Sequence, residues 1–359
     1  MIRTDPGVEY VEHDTYVIQP TETMNASNNL FTANHSKRDL EHDFMDGYWP
    51  SYMVTSKGKV KIKQDPRPSL KSSQKLPHQY SVKVIKNPGA GVNIYVLDHG
   101  VRITHKAFQG RASNFRNTTT TPYCTSGNME WSDSSPTSHG TAVASLLAGE
   151  LYSVSLANII NVKIQCKETT KASFIAKAIA DVTEDHRHNS QAPSHGFKGS
   201  IINMSFSTTA SYTITSALRV AKSSGIALVA SAGNETYRWS SQFANHGSAV
   251  EVIAPGDDMR VATSGSDTSS GSRHGTSMAT AVVGSVLSHF IGYEGLMRDA
   301  NLIYKRLLDN SLKDVIRGLP AAPRRKKISS PLQVTPNQLV NTGIGHYEHD
   351  GALYIGAPT

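Results

Sequence analysis

Gly275-Thr276-Ser277-Met278-Ala279-Thr280 is the stretch on which the reading of this chain turns. A turn of small residues delivers a serine to the start of an apolar, helix-like run over residues 279–291. The first N–H groups of a helix have no partner inside it, so a serine placed there has free backbone donors beside its oxygen. That arrangement suits a nucleophile whose attack creates an oxyanion. On its own, Gly-Thr-Ser also opens many ordinary helices. Three other segments, in a set order along the chain, give it weight.

Val92-Asn93-Ile94-Tyr95-Val96-Leu97-Asp98-His99-Gly100 is an apolar run ending on a carboxylate and a turn glycine. It predicts a buried strand of a parallel sheet, and ligand-handling residues gather at the C-terminal ends of such strands. Taken alone, Asp98 would pass as a turn or helix cap. Ser138-His139-Gly140-Thr141-Ala142-Val143-Ala144-Ser145-Leu146-Leu147-Ala148-Gly149 predicts a helix stopped by a glycine, with His139 in its first turn. Ile226-Ala227-Leu228-Val229-Ala230-Ser231-Ala232-Gly233-Asn234 predicts a second buried strand, a small-residue turn and then an asparagine. A side-chain amide can donate to a developing oxyanion, and loss of one such donor costs about 3 kcal/mol of barrier. As an isolated feature Asn234 would be a turn asparagine that tolerates left-handed backbone.

The order Asp98, His139, Asn234, Ser277, set on strand, helix, strand and helix, resembles the subtilisin-like serine proteases (subtilases). Their Asp…His…Ser order differs from that of chymotrypsin and of the α/β-hydrolases, and Ser277 lacks the G-x-S-x-G of the latter. Other segments extend the likeness. Ile201-Ile202-Asn203-Met204-Ser205-Phe206-Ser207 looks like the family's substrate-binding strand. Phe243-Ala244-Asn245-His246-Gly247, Ile253-Ala254-Pro255-Gly256 and Thr335-Pro336-Asn337-Gln338-Leu339 match further family segments, the last pointing to the fungal proteinase K group. The resemblance implies a three-layer α/β fold with a doubly wound, mostly parallel sheet, and a serine endopeptidase that works through an acyl-enzyme. It implies Asp98, His139 and Ser277 as triad, with Asn234 and the Ser277 N–H as oxyanion hole. It also implies that Ser205, Phe206, Ser207, Ala232 and Gly233 line a cleft where an extended peptide adds as a strand.

Four parts follow along the chain. Residues 1–19 resemble the closing strand of the family's inhibitory propeptide, which would make the chain a precursor lacking its signal peptide. Residues 20–89 are polar, rich in Ser, Lys and Pro, and predict a weakly ordered segment; Pro68-Ser69-Leu70-Lys71 resembles a distorted mature N-terminus. Residues 90–345 form the peptidase domain, and residues 346–359 a tail. The 359 residues can bury one large α/β core. A net charge of +7 is scattered, apart from Arg324-Arg325-Lys326-Lys327, and no nucleic-acid motif accompanies it. No stretch approaches a membrane span. The expected partners are protein or peptide substrates and the chain's own propeptide, with neither nucleic acid nor membrane, on a monomer. Cys124 and Cys166 admit one disulfide or two free thiols. Asn25, Asn34 and Asn117 lie in N-x-S/T sequons and favour a secreted product. Calcium is the one cofactor the resemblance admits, and no acidic cluster marks its ligands.

The chain departs from the family at several points. His99 stands where a Ser or Thr usually fixes the aspartate, and an imidazole there could compete for the carboxylate. Ala142 replaces a frequent histidine, Ala281 replaces a proline, and Ser207-Thr208 replace paired glycines. Only residues 235–242 separate Asn234 from Phe243, where the family has a longer segment with a core strand. The expectation is an open edge on the strand at 226–231. The alternative function is then a catalytically impaired pseudoprotease that binds peptides or partners with the same fold.

Overall fold

Val92–Asp98 forms strand β1, and every side chain from Ile94 to Asp98 is buried. A strand with both faces covered needs an apolar residue at nearly every position rather than alternation, which is what this run supplies. The computed structural model describes residues 88–115, 123, 130–150, 152–166, 169–191, 196–208, 210–234, 250–256, 259–295, 299–314 and 336–340. It also describes the short strands Tyr16–Ile18, Tyr52–Val54, Val60–Ile62, His346–Tyr347 and Leu353–Tyr354.

After β1 come β2 (Ala112–Asn114), α1 (His139–Ala148), β3 (Asn158–Lys163), α2 (Ala172–Gln191), β4 (Gly199–Met204), α3 (Tyr212–Ser223) and β5 (Ala227–Ala230). A hairpin of β6 (Met259–Ala262) and β7 (Ser270–Arg273) leads into α4 (Thr276–Glu294) and α5 (Ala300–Asn310). The five parallel strands are ordered β2-β3-β1-β4-β5. β1 therefore lies between β3 and β4, where the winding changes direction, and such a switch point leaves a crevice beyond the C-terminal strand ends. Asp98 is the residue that ends β1 there.

Two apolar cores make the three layers. On one face Val92, Ile94 and Val96 pack with α1 and α4, whose Val143, Leu147, Val283 and Leu287 belong to the same cluster. On the other face Tyr95 and Leu97 pack with Ile175, Ile179 and Val182 of α2 and Ile214 of α3. α4 is buried on almost every side from Ser277 to Gly292, so it is a core helix rather than an amphipathic surface one. The structure thus agrees with the three-layer, mostly parallel architecture.

Sequence boundaries shift by up to three residues, the run expected at 279–291 becoming Thr276–Glu294. The helix expected from His139 begins there, and the strand expected at 226–231 narrows to Ala227–Ala230. Within residues 1–19, Tyr16–Ile18 is a strand, paired antiparallel with Thr169–Lys171. Pro68–Lys71, the three sequons, the basic run at 324–327 and the segment 235–247 lie outside the described residues, as does Cys124. Cys166 is buried and disulfide-bonded, so of the two alternatives for this cysteine the disulfide holds. The segments flagged at 253–256 and 335–339 meet: the Ile253 N–H donates to the Gln338 carbonyl (2.8 Å), and the Val340 N–H to the Ile253 carbonyl (2.8 Å).

The open edge expected on β5 is closed at Leu228. Its N–H donates to the Tyr304 hydroxyl (2.6 Å), and that hydroxyl donates to the Leu228 carbonyl (3.1 Å). In a parallel ladder both groups of a residue point to one side, and one phenol from α5 meets both. Burial raises the Tyr304 phenol above its ordinary pKa, which keeps it a neutral donor. Tyr304→Phe should therefore leave a strand donor and acceptor without partners and cost about 1–3 kcal/mol in urea unfolding. Tyr293→Phe, at a residue 60% exposed, should change stability by less than about 0.5 kcal/mol.

Candidate active site

The site forms where β1 and β4 end side by side. Leu97 is the register partner of Met204, so the next residues, Asp98 and Ser205, leave the sheet one strand spacing apart, about 4.8 Å. Each then takes hold of the start of a helix.

Asp98, fully buried, binds the ring of His139, the first residue of α1. Nδ1 of His139 lies 2.9 Å from both carboxylate oxygens. The His99 N–H donates to Oδ1 at 2.8 Å. Burial alone would push the carboxyl up. The facing His139 ring with its hydrogen bond, and the His99 ring 3.4 Å away, outweigh it and hold Asp98 well below the usual carboxylate range. The turn that makes this possible is tight. Gly100 sits at φ +112, where a Cβ would stand 2.3 Å from the Ser132 carbonyl oxygen, so only glycine fits.

Ser277 is the second residue of α4, and Ser205 grips it. The Ser205 hydroxyl donates to the Ser277 carbonyl (3.2 Å), while the Ser277 hydroxyl donates to the Ser205 carbonyl (3.3 Å). Asn203 Nδ2 donates in turn to the Ser205 hydroxyl (3.0 Å). Asn234 reaches the same helix start. Its Oδ1 accepts from the Thr276 N–H (2.9 Å) and hydroxyl (2.8 Å), which leaves Nδ2 as the group the amide can present. Gly275 precedes at φ +131, and a Cβ there would come 3.1 Å from that Nδ2.

The structure thus joins Asp98 to His139, Ser205 to Ser277, and Asn234 to Thr276 next to Ser277. Of the expected cleft residues, Ser205 and Phe206 turn their side chains inward, Phe206 into the second core. They can offer a peptide only backbone groups. Gly233 is buried, and Ser207 and Ala232 are half-buried.

Three residues of the site escaped the sequence reading. Asp133 accepts from the Thr141 N–H (2.9 Å) and hydroxyl (2.5 Å), so it caps α1 in place of Ser138. Ser138 itself stands at φ +58, and its hydroxyl meets that of Ser264 (2.8 Å). Arg273, at the end of β7, donates from Nε to the Thr137 carbonyl (2.9 Å). The hairpin that leads to Ser277 therefore also braces the approach to His139. Lys163, register partner of Asp98, is fully buried and donates from Nζ to the Ser132 carbonyl (2.8 Å). A lysine ending the apolar run of β3 was the available signal for it. Nothing in the sequence singled out Arg273.

The site carries one group of three potential metal donors among the described residues, Asp98, His99 and His139. Two imidazoles do not suit calcium, which takes oxygen ligands. No helix among the described residues is long and apolar enough to cross a membrane.

Residues 89–254 match the Subtilase family. Alkaline protease 1 of Emericella nidulans is 30% identical over 259 residues, which cover 66% of this chain and 60% of that protein. Cerevisin of Saccharomyces cerevisiae is 28% identical over 292 residues, 72% of this chain and 43% of that protein. The chain thus spans about 60% or less of the length of these curated relatives. A cold adapted subtilisin-like serine proteinase has the same fold, with a TM-score of 0.56 at 23% identity over 74% of this chain and 93% of the other.

Burial brings the pKa of Lys163 from 10.5 down to about 8, against the opposing pull of Asp133 and Glu130. Between those values the unfolded chain binds more protons than the folded one, so this group's contribution to stability rises with pH. Lys163→Met removes that titration. Urea unfolding at about pH 7.5 and about pH 10 should show the wild type gaining on the variant by on the order of 2 kcal/mol.

Proposed function

Starting from a chain that belongs to the subtilase family over residues 89–254, we propose that it is a serine endopeptidase cleaving peptide bonds through an acyl-enzyme on Ser277. The observation that carries this is the pairing of Asp98 with His139 at the end of the strand next to the one whose Ser205 holds Ser277. In this reading the buried carboxylate keeps His139 in the tautomer with its proton on Nδ1, so that Nε2 is the basic nitrogen. The Ser277 proton, resting on the Ser205 carbonyl, passes to Nε2 as the oxygen attacks the scissile carbonyl. The oxyanion is met by Asn234 Nδ2 and the Ser277 N–H at the positive end of α4. His139 returns the proton to the leaving amine, and water completes the cycle by the same route.

The substrate would be an extended segment adding to backbone edges near 205–207 and 232–233. Tyr16–Ile18 pairs with Thr169–Lys171 in that extended manner. This supports the reading of residues 1–19 as the tail of an inhibitory propeptide. The disulfide at Cys166 supports a secreted product, since disulfides persist in oxidising compartments. His99 beside Asp98 favours a second reading, a peptide-binding relative with impaired turnover.

A fluorophosphonate probe separates the two, because it reports an activated serine directly. The wild type should label and digest casein, and Ser277→Ala should do neither while keeping its melting temperature within a few degrees. Asn234→Ala should lower turnover about a hundredfold or more with little change in KM. Labelling that survives in Ser277→Ala would overturn the assignment, and an unlabelled wild type would favour the impaired relative.

A further inference from the structure

His99 is more than a neighbour of the catalytic carboxylate. Its side chain is 9% exposed, and its Nδ1 lies 3.4 Å from Oδ1 of Asp98. That nitrogen is buried without a hydrogen-bond partner. Unpartnered buried polar atoms are uncommon, and this one is aimed at a carboxylate that already holds another imidazole. Asp98, His99 and His139 each place a donor atom within 4.8 Å of the other two.

The spacing is close to that of a metal centre. Zinc bound tetrahedrally at about 2.0–2.1 Å from each ligand sets its ligand atoms about 3.3 Å apart. The His139 Nδ1 to Asp98 distance is 2.9 Å and the His99 Nδ1 to Asp98 distance is 3.4 Å, so small shifts would seat the ion. Two imidazole nitrogens and one carboxylate oxygen are a donor set suited to zinc, with a fourth position for water. Asp133 adds a second acidic group near Asp98. His99 and His139 keep 7% and 5% of their surface exposed to solvent.

We propose that Asp98, His99 and His139 form an inhibitory site for zinc. The metal replaces the proton on His139 Nδ1, and that proton moves through solvent to Nε2. His139 stays neutral, but Nε2 now carries a hydrogen and cannot take the Ser277 proton. The ion thereby silences the base without touching the nucleophile. The inhibitory consequence rests on the protease reading; the binding does not.

The test separates them by using the Ser277→Ala protein, which keeps all three donors. Calorimetric titration of this protein with zinc chloride should show one-to-one binding. Adding His99→Gln, or in a second variant His99→Asn, should weaken that binding at least tenfold. Affinity equal within twofold in all three proteins, or no binding to Ser277→Ala at all, would overturn the site. Should both histidine variants unfold, zinc-edge X-ray absorption of the Ser277→Ala complex decides. Two imidazoles and an oxygen ligand support the site, while a sulfur ligand or fewer than two imidazoles refutes it. In the wild type, zinc should slow fluorophosphonate labelling at least tenfold and a chelator should restore it. A wild type that never labels, with zinc binding intact, would sink the protease reading and leave the metal site standing.

Discussion

A carboxylate with no exposed surface, at the end of the central strand, is the constraint from which the rest of the site follows. An isolated carboxylate in such a place would give up its charge. Asp98 keeps it because the His139 ring and the His99 N–H donate to it. Those donors fix the start of α1, which fixes the packing of α1 against α4 and so the place of Ser277. The same burial explains the tight turn at Gly100 and the capping of α1 by Asp133 from outside the helix. Moving any of these parts would leave a buried charge or a buried N–H without a partner.

The second constraint is mechanical coupling between two helix starts far apart in sequence. Thr137 accepts from Arg273, and Ser138 meets Ser264. Arg102 reaches the same hairpin through Asp267 (2.7 Å) and the Ser264 carbonyl (2.9 Å). His139 and Ser277 therefore share one brace, and strain at the left-handed Ser138 is held by groups that also steer Ser277.

How much of this was legible in the chain differs by element. β1 and α4 declared themselves because a run buried on every side must be apolar throughout. Asp98, His139, Asn234 and Ser277 could be picked out because each interrupts or terminates such a run with a chemically apt side chain. The inward turn of Ser205 and Phe206 was not legible, since it depends on which face of the sheet end the chain leaves. Arg273 was missed because its partner is a backbone carbonyl, which has no sequence identity. The closure of β5 was missed because Tyr304 lies 76 positions from Leu228, on a helix whose apolar pattern needs no tyrosine at that point.

That phenol bears on how a lineage can edit this fold. At Leu228 the donor and acceptor facing away from β4 are met by a side chain from α5, so that position places no pairing demand on the chain after Asn234. Insertions or deletions there then face mainly loop-closure entropy, about 0.6 kcal/mol per doubling of length, instead of a lost rung of sheet. A single hydroxyl frees one rung of β5 from dependence on the length of chain that follows Asn234.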